Sequence, residues 1–219
     1  MINEKKERTM KRILMTMVCA LPLVAANAQK FDVGVVAGID VNIAAGNVES
    51  DGAMVGPVLG VRGEMAIDES WYATATLQWA MKNSKSPKAG LEGYTIQSKR
   101  YLNYIELPLR LGLRMPVGAD CNMLFEAGPY FGIAAWGKSK GYVDGHKSTS
   151  MSDIFGEEGF RRFDFGLPAR VGLELSRHYQ LFLGYDHGFV NQWKSAKNSP
   201  FEKGTYYNRA LSVTLGYKF

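Results

Sequence analysis

The sequence predicts an all-β fold, an eight-stranded antiparallel up-and-down transmembrane β-barrel behind a cleavable N-terminal signal peptide. Three observations carry that prediction. A short apolar run near the N-terminus ends in a small-x-small triplet, eight long segments alternate apolar with polar residues, and the connections between them alternate long with short.

The leader comes first. Lys11 and Arg12 form a basic n-region, Ile13 to Ala25 an apolar h-region, and Ala26-Asn27-Ala28 a cleavage site. Residues 1–28 are thus the expected signal peptide and 29–219 the barrel domain, with Gln29 as the mature start. Translation from Met10 would leave that signal intact. The h-region is too short for a membrane anchor and is interrupted by Pro22. Cys19 follows Val18 rather than a small residue and precedes more apolar residues, so lipidation is not expected. Cleavage leaves Cys121 alone, which rules out an intramolecular disulfide in the mature chain.

Charge and hydropathy narrow the class. Residues 1–28 hold five of the 26 basic and two of the 21 acidic residues, so the mature chain carries about +2 and bulk charge suggests no nucleic-acid partner. No run of eighteen apolar residues exists to span a bilayer as a helix. The mean hydropathy of -0.15 is what alternation produces when lipid-facing and lumen-facing residues average out.

The eight alternating segments are 31–41, 55–67, 71–82, 101–114, 122–136, 162–175, 179–189 and 209–219. In the last, Leu211, Val213, Leu215, Tyr217 and Phe219 share one face, and Ser212, Thr214, Gly216 and Lys218 the other. Strands this long exceed those of ordinary globular sheets and suit a tilted bilayer crossing. Long polar connections at 42–54, 83–100, 137–161 and 190–208 alternate with short ones at 68–70, 115–121 and 176–178. That arrangement places long loops outside, short turns and both termini in the periplasm, and lets the first and last strands close the sheet.

Parity then sorts the faces. Taking every second residue of each segment on its more apolar side, from Asn103 in the fourth segment and from Leu211 in the last, gives an outward set free of Asp, Glu, Lys and Arg, with Asn103 and His187 as its strongly polar members. The opposite parity collects Asp32, Arg62, Glu64, Glu106, Arg110, Arg114, Glu126, Asp164, Arg170 and Glu174, together with Asp40, Lys82, Asp186 and Lys218. A basic residue facing lipid costs about 2–4 kcal/mol at the midplane, so the charged face must be the lumen. Eight strands leave a space that side chains nearly fill, and these residues are expected to form a paired structural plug; an ion or proton path is the functional alternative. Trp71, Tyr179, Tyr217 and Phe219 fall at the turn end and Trp79, Tyr101 and Trp136 at the loop end, as two aromatic belts. Pro57, Pro108, Pro129 and Pro168 lie inside the segments and call for bulges or bends.

Tyr104-Ile-Glu-Leu-Pro-Leu-Arg-Leu-Gly-Leu113, Glu126-Ala-Gly-Pro-Tyr-Phe-Gly132, Arg162-Phe-Asp-Phe-Gly166 and the terminal Leu215-Gly-Tyr-Lys-Phe219 together resemble the PorT-like outer-membrane β-barrel proteins of Bacteroidetes. The resemblance covers the mature chain and includes Pro108 and Pro129. It implies an eight-stranded barrel inserted by the outer-membrane assembly machinery, with Phe219 as the assembly signal, and it implies no catalytic residues.

Catalytic, cofactor and metal constellations are not expected. His187 sits outward near the loop end with Asp186 on the wrong face, so a headgroup contact explains it better than a lipid-hydrolase triad. His146, His178 and Cys121 form no metal spacing. Gly34-Val-Val-Ala-Gly38 and Gly137-Lys-Ser-Lys-Gly141 open no helix and are not phosphate cradles. The outer rim is more informative. Lys82, Lys85, Lys88, Lys99 and Arg100 flank the second long loop, and Lys194, Lys197, Lys203 and Arg209 the fourth, with Trp193, Phe201, Tyr206 and Tyr207 interleaved. These cations suit lipopolysaccharide phosphates among the outer-membrane lipids or, alternatively, a host or surface ligand. The expected function is a non-enzymatic surface barrel serving envelope integrity or adhesion. The alternatives are a component of a protein secretion apparatus, an outer-leaflet lipid hydrolase and a small pore.

Overall fold

A computed structural model describes residues 31–46, 52–91, 94–151, 154–155, 159–194 and 204–219. The expected signal peptide lies outside the described residues.

Alternating residues with two different surroundings dictate strands, and the described residues form eleven in one sheet: β1 (Phe31–Ala45), β2 (Met54–Ala66), β3 (Trp71–Lys85), β4 (Ala89–Leu91), β5 (Tyr94–Gly118), β6 (Cys121–Ala127), β7 (Tyr130–Val143), β8 (His146–Met151), β9 (Phe163–Leu175), β10 (Tyr179–Gly188) and β11 (Tyr207–Lys218). β6 and β7 are two parts of one wall strand, and β4 and β8 are additions beyond the wall. The ring runs β1-β2-β3-β5-β6/β7-β9-β10-β11, every neighbour antiparallel. It closes through the β1–β11 ladder, from Gly34 opposite Lys218 to Ala45 opposite Tyr207. All-β architecture, eight wall strands and antiparallel order therefore follow the period-two pattern. Closure pairs the backbone groups that an edge would leave open.

The loop end departs from expectation. Residues 94–100, 137–143 and 146–151 are strand rather than loop, because β5 and β7 continue their ladder from Asn103 opposite Trp136 up to Ile96 opposite Val143. At about 3.3 Å per residue the 25 residues of β5 run roughly 80 Å, more than twice a bilayer crossing. Outside lipid a strand needs no apolar face, so hydrophobic alternation could not reveal this extension. At the other end the predicted turn 115–121 shrinks, since β5 reaches Gly118 and β6 begins at Cys121.

The prolines sit where ladders break. The β3–β5 register is interrupted between Ala75–Leu109 and Gln78–Glu106, at Pro108. Across the sheet, Pro129 separates β6 from β7, and the Leu109 amide donates to Pro129 O at 2.8 Å, while the Gly128 amide reaches Pro168 O at 3.2 Å. Three proline interruptions thus share one level on adjacent strands, so one local rearrangement serves all three. At Pro57 the β2–β3 register stops, and the Asn42 amide donates to Met81 O at 3.1 Å. Asn83 likewise donates to Val55 O at 2.8 Å. Side-chain amides supply donors that the ladder lacks here.

A second irregularity lies in β7. Asn103 faces Trp136 but Tyr104 faces Ala134, so Ala135 is a bulge and parity reverses beyond it. Trp136 consequently points outward, 51% exposed, next to the exposed Ala135, where strict alternation would have turned it inward.

Candidate functional site

Inward parity brings the charged residues together in two layers. Towards the turn end, Glu126 accepts from Arg62 Nη2 at 2.7 Å, Arg170 Nε at 2.7 Å and the Tyr72 hydroxyl at 2.9 Å. Arg62 also reaches Glu64 at 3.0 Å. Below it, Lys218 lies 3.2 Å from Glu64 and 3.1 Å from Glu174, and Arg114 bonds both of those carboxylates. Gln180 and Asn122 fill the remaining acceptor positions on Glu174 at 2.9 and 3.2 Å. Asp32 is only a margin of this layer, half-exposed and 3.5 Å from Lys218.

The layer nearer the loops is centred on Asp164, which is fully buried. Lys82 Nζ lies 2.6 Å from Glu106 and 3.1 Å from Asp164. The hydroxyl of Tyr130 and the amides of Asn208 and Gln192 donate to Asp164 at 2.9, 2.8 and 3.0 Å, and Gln78 donates to Glu106 at 2.9 Å. Lys82 belongs here and not at the rim, where its position beside a loop had also placed it. Between the layers, a cavity of about 10 Å³, room for one water, is lined by Asp40, Gln78, Arg110, Arg170 and Asp186 among others. Arg110, expected in the ion network, instead leaves its Nε and Nη1 without partners.

The lumen is less uniformly polar than parity alone suggested. Tyr72, Leu124 and Phe182 form a buried cluster inside it, with Arg170 3.8 Å from the Phe182 ring centroid. Tyr72 and Phe182 are long enough to cross because the residues opposite them, Gly112 and Gly172, present no side chain. At the loop end Leu102, Tyr104, Ala134, Phe155, Phe160 and Tyr206 close the mouth with a second apolar cluster. Gln192, fully buried, ties this lid to the layer beneath through Asp164 and the Phe163 carbonyl.

A closed antiparallel ring with a charged interior and an apolar wall matches one family across nearly the whole sequence: residues 13–219 correspond to the outer membrane protein beta-barrel domain. The chain belongs to that family. Solved structures of similar fold include Ail, the attachment invasion locus protein of Yersinia pestis, crystallised with the heparin analogue sucrose octasulfate, at 11% identity and a TM-score of 0.41, covering 87% of this chain and 100% of that one. Neisserial surface protein A is similar at 12% identity and 0.39, covering 86% and 96%. OprG of Pseudomonas aeruginosa is similar at 14% and 0.40, covering 86% and 95%. No curated protein sequence matches the chain. Membership makes this a transmembrane barrel of the bacterial outer membrane.

The wall of this family member bears out the lipid-facing assignment of parity. Val35, Ile39, Leu59, Val61, Leu77, Leu111, Val171, Leu183 and Leu215 all point out exposed. Asn103, the polar exception, is covered by Trp79, whose indole donates to it at 3.1 Å. His187 packs on the outer wall against Phe189, and its Nδ1 lies 3.3 Å from the Tyr185 hydroxyl; these contacts bring it neither a serine nor a carboxylate. His178 Nδ1 contacts Lys218 O at 2.7 Å. No group of metal ligands assembles among the described residues.

The rim cations do not form one group. Arg100 turns inward, its guanidinium 5.3 Å from the Phe160 ring in the lid. Arg209 stands on the outer wall between Ile43 and His187. Lys88 is exposed, Lys194 is half-buried beside the lid, and Lys197 and Lys203 lie outside the described residues. Lys85 and Lys99 stand opposite each other on the outward face, and there they meet Lys138 and Lys140 of β7. Those two lysines were missed because the sequence offers no signal for the bulge that turns them outward. Phe219, 70% exposed, ends the last strand, its amide bonded to Val33 O at 2.9 Å.

Proposed function

We propose that the protein is a non-enzymatic surface barrel whose lumen is a structural plug and whose loop-end hairpins carry its activity, in adhesion or in envelope integrity. The supporting observation is the combination of a sealed interior with a wall that continues as β-sheet beyond the aromatic belt. A polar lumen crossed by Lys82, Asp164, Glu126 and Arg170 pairs leaves little free volume for solutes. The hairpins formed by β5, β7 and β8 hold their backbone in place, so a ligand there meets a surface that needs little ordering.

In this reading cleavage after Ala28 releases the mature chain, both termini lie in the periplasm, and Phe219 is the assembly signal. The test is binding by cells that display the protein: deletion of residues 139–151 is expected to abolish attachment to the ligand surface while the barrel remains inserted. Full attachment without that hairpin would refute the reading, and steady conductance in planar bilayers would refute the plug.

The resemblance of the Tyr104–Leu113 and Glu126–Gly132 motifs to PorT-like proteins favours a second reading, a component of a secretion apparatus. These motifs form the proline-interrupted wall between β5 and β7. Lost export of secreted proteins in a deletion strain, with attachment unchanged, would favour it. Lipid hydrolysis would require that His187→Ala abolish fatty-acid release by the purified protein.

A further inference from the structure

Beyond the belt formed by Trp79 and Trp136, the outer wall turns basic. The bulge at Ala135 points Trp136, Lys138, Lys140 and Tyr142 outward, opposite Asn103, Tyr101, Lys99 and Gln97 of β5. On the other side of β5, Asn83 and Lys85 of β3 face Tyr101 and Lys99. Lys99 and Lys140 therefore stand directly opposite each other in one cross-strand row, with Lys138 beside Tyr101 in the row below. Lys99 Nζ lies 4.8 Å from the Tyr142 ring centroid, and Lys140 Nζ lies 5.0 Å from that of Tyr101. Among the described residues of this extension the only acid is Asp144, at the hairpin tip, whose Oδ1 accepts the Thr95 amide at 2.7 Å.

Like charges directly opposite one another weaken a strand pair. A bound anion reverses that penalty, and ammonium groups hold phosphate as point charges. The level of the rows selects the anion. They lie two and four residues beyond Trp136, which is roughly 5–9 Å of height for strands tilted by about 45°. The headgroup layer on one side of a bilayer is roughly 5–8 Å deep. These side chains point away from the barrel axis at that depth, towards neighbouring lipid.

We propose that Lys99, Lys138 and Lys140, framed by Tyr101 and Tyr142, bind the phosphorylated headgroup of an outer-leaflet glycolipid against the outer wall. The site rests on the reading that the loop end faces outward. It lies on the wall strands rather than in the loops, and the loop-four cations take no part in it.

The experiment titrates the mature protein, purified in detergent micelles, with bis-phosphorylated lipid A and with the same lipid stripped of its phosphates. The wild type is expected to prefer the phosphorylated lipid. Lys99→Gln/Lys140→Gln is expected to lose affinity roughly 20–30-fold, about fivefold per lysine at a membrane surface. Lys99→Arg/Lys140→Arg is expected to retain it, and Lys194→Gln to leave it unchanged. If the double variant lacks the heat-sensitive gel mobility of a folded barrel, Lys138→Gln carries the prediction at about fivefold. Equal affinity for both lipids, or wild-type affinity in the glutamine variants, would overturn the site. So would a soluble phosphorylated or sulfated oligosaccharide that binds as tightly through the same lysines, which would make the ligand a free polyanion. Orientation is checked apart from this: Ser148→Cys should react with an impermeant maleimide on intact cells, and no reaction would refute the surface reading whatever the titration shows.

Discussion

Replacing Glu126 by Gln is expected to damage the barrel far more than replacing Arg170 by Met, although both changes remove one member of the same ion pair. Glu126 neutralises two guanidinium groups, Arg62 at 2.7 Å and Arg170 at 2.7 Å, and accepts from Tyr72 at 2.9 Å. In Glu126→Gln, Arg62 keeps Glu64 at 3.0 Å, but Arg170 is left with the Phe182 ring. Breaking a buried pair in this way costs roughly 3–5 kcal/mol, because a charge remains without compensation. In Arg170→Met the carboxylate keeps Arg62 and Tyr72, the new side chain packs on Phe182, and the loss is about 1–2 kcal/mol. The double variant leaves no orphaned charge and should cost no more than about 2 kcal/mol, well under the sum of the single changes. Urea unfolding in lipid vesicles, followed by tryptophan fluorescence and by loss of the folded gel band, measures all three. Equal damage from the two single variants, or an additive double variant, would refute the assignment of Glu126 as the shared counter-ion.

Lys82→Met should destabilise by roughly 3–5 kcal/mol in the same assay, because Glu106 and Asp164 would face each other uncompensated; a change below about 1 kcal/mol would contradict the lumen position of Lys82. Gly112→Ala drives a Cβ into the Tyr72 ring and should cost about 1–3 kcal/mol, most of it recovered when Tyr72→Leu is added. The β9–β10 turn holds Ser176 and Arg177 at φ of 50° and 61°, so Arg177→Gly should stabilise by up to about 1 kcal/mol, read as a raised urea midpoint. Asp68 accepts the Ser70 and Trp71 amides at 2.8 and 2.7 Å, and those bonds hold its carboxyl below the usual aspartate range. Its contribution is therefore complete above the unfolded-state pKa and disappears as pH falls through the lower folded value. Asp68→Asn should flatten that acid limb of the stability profile, and an unchanged limb would refute the role.

The wall was legible in the sequence because lipid and lumen impose opposite demands on alternate residues. Leu211 to Phe219 shows that period without interruption. The lumen residues followed from the same parity, since Arg62, Glu64, Glu126 and Glu174 could not face lipid. Their pairing did not follow: cross-barrel partners such as Arg62 and Glu126 depend on register and side-chain reach, which alternation leaves open. Arg110 shows the limit, correctly inward yet with two of its guanidinium nitrogens lacking hydrogen-bond partners among the described residues. The extension of β5 and β7 was illegible because Thr95, Gln97, Lys138 and Lys140 sit in strands with polar surroundings on both sides. One extra residue at Ala135 then reversed parity and redirected two lysines, and nothing in the local composition announces it. The proline sites were visible as a problem, but their solution needed the Asn42 amide and the shared level of Pro108, Pro129 and Pro168.

The central claim is a closed, internally cross-linked barrel in the outer membrane. Gel mobility of the mature protein, extracted from outer membranes and run with and without boiling, tests it most directly. The account predicts that the unboiled protein migrates as a distinct folded band that shifts on heating. A single band in both lanes, with the protein recovered from the soluble periplasmic fraction, would contradict it.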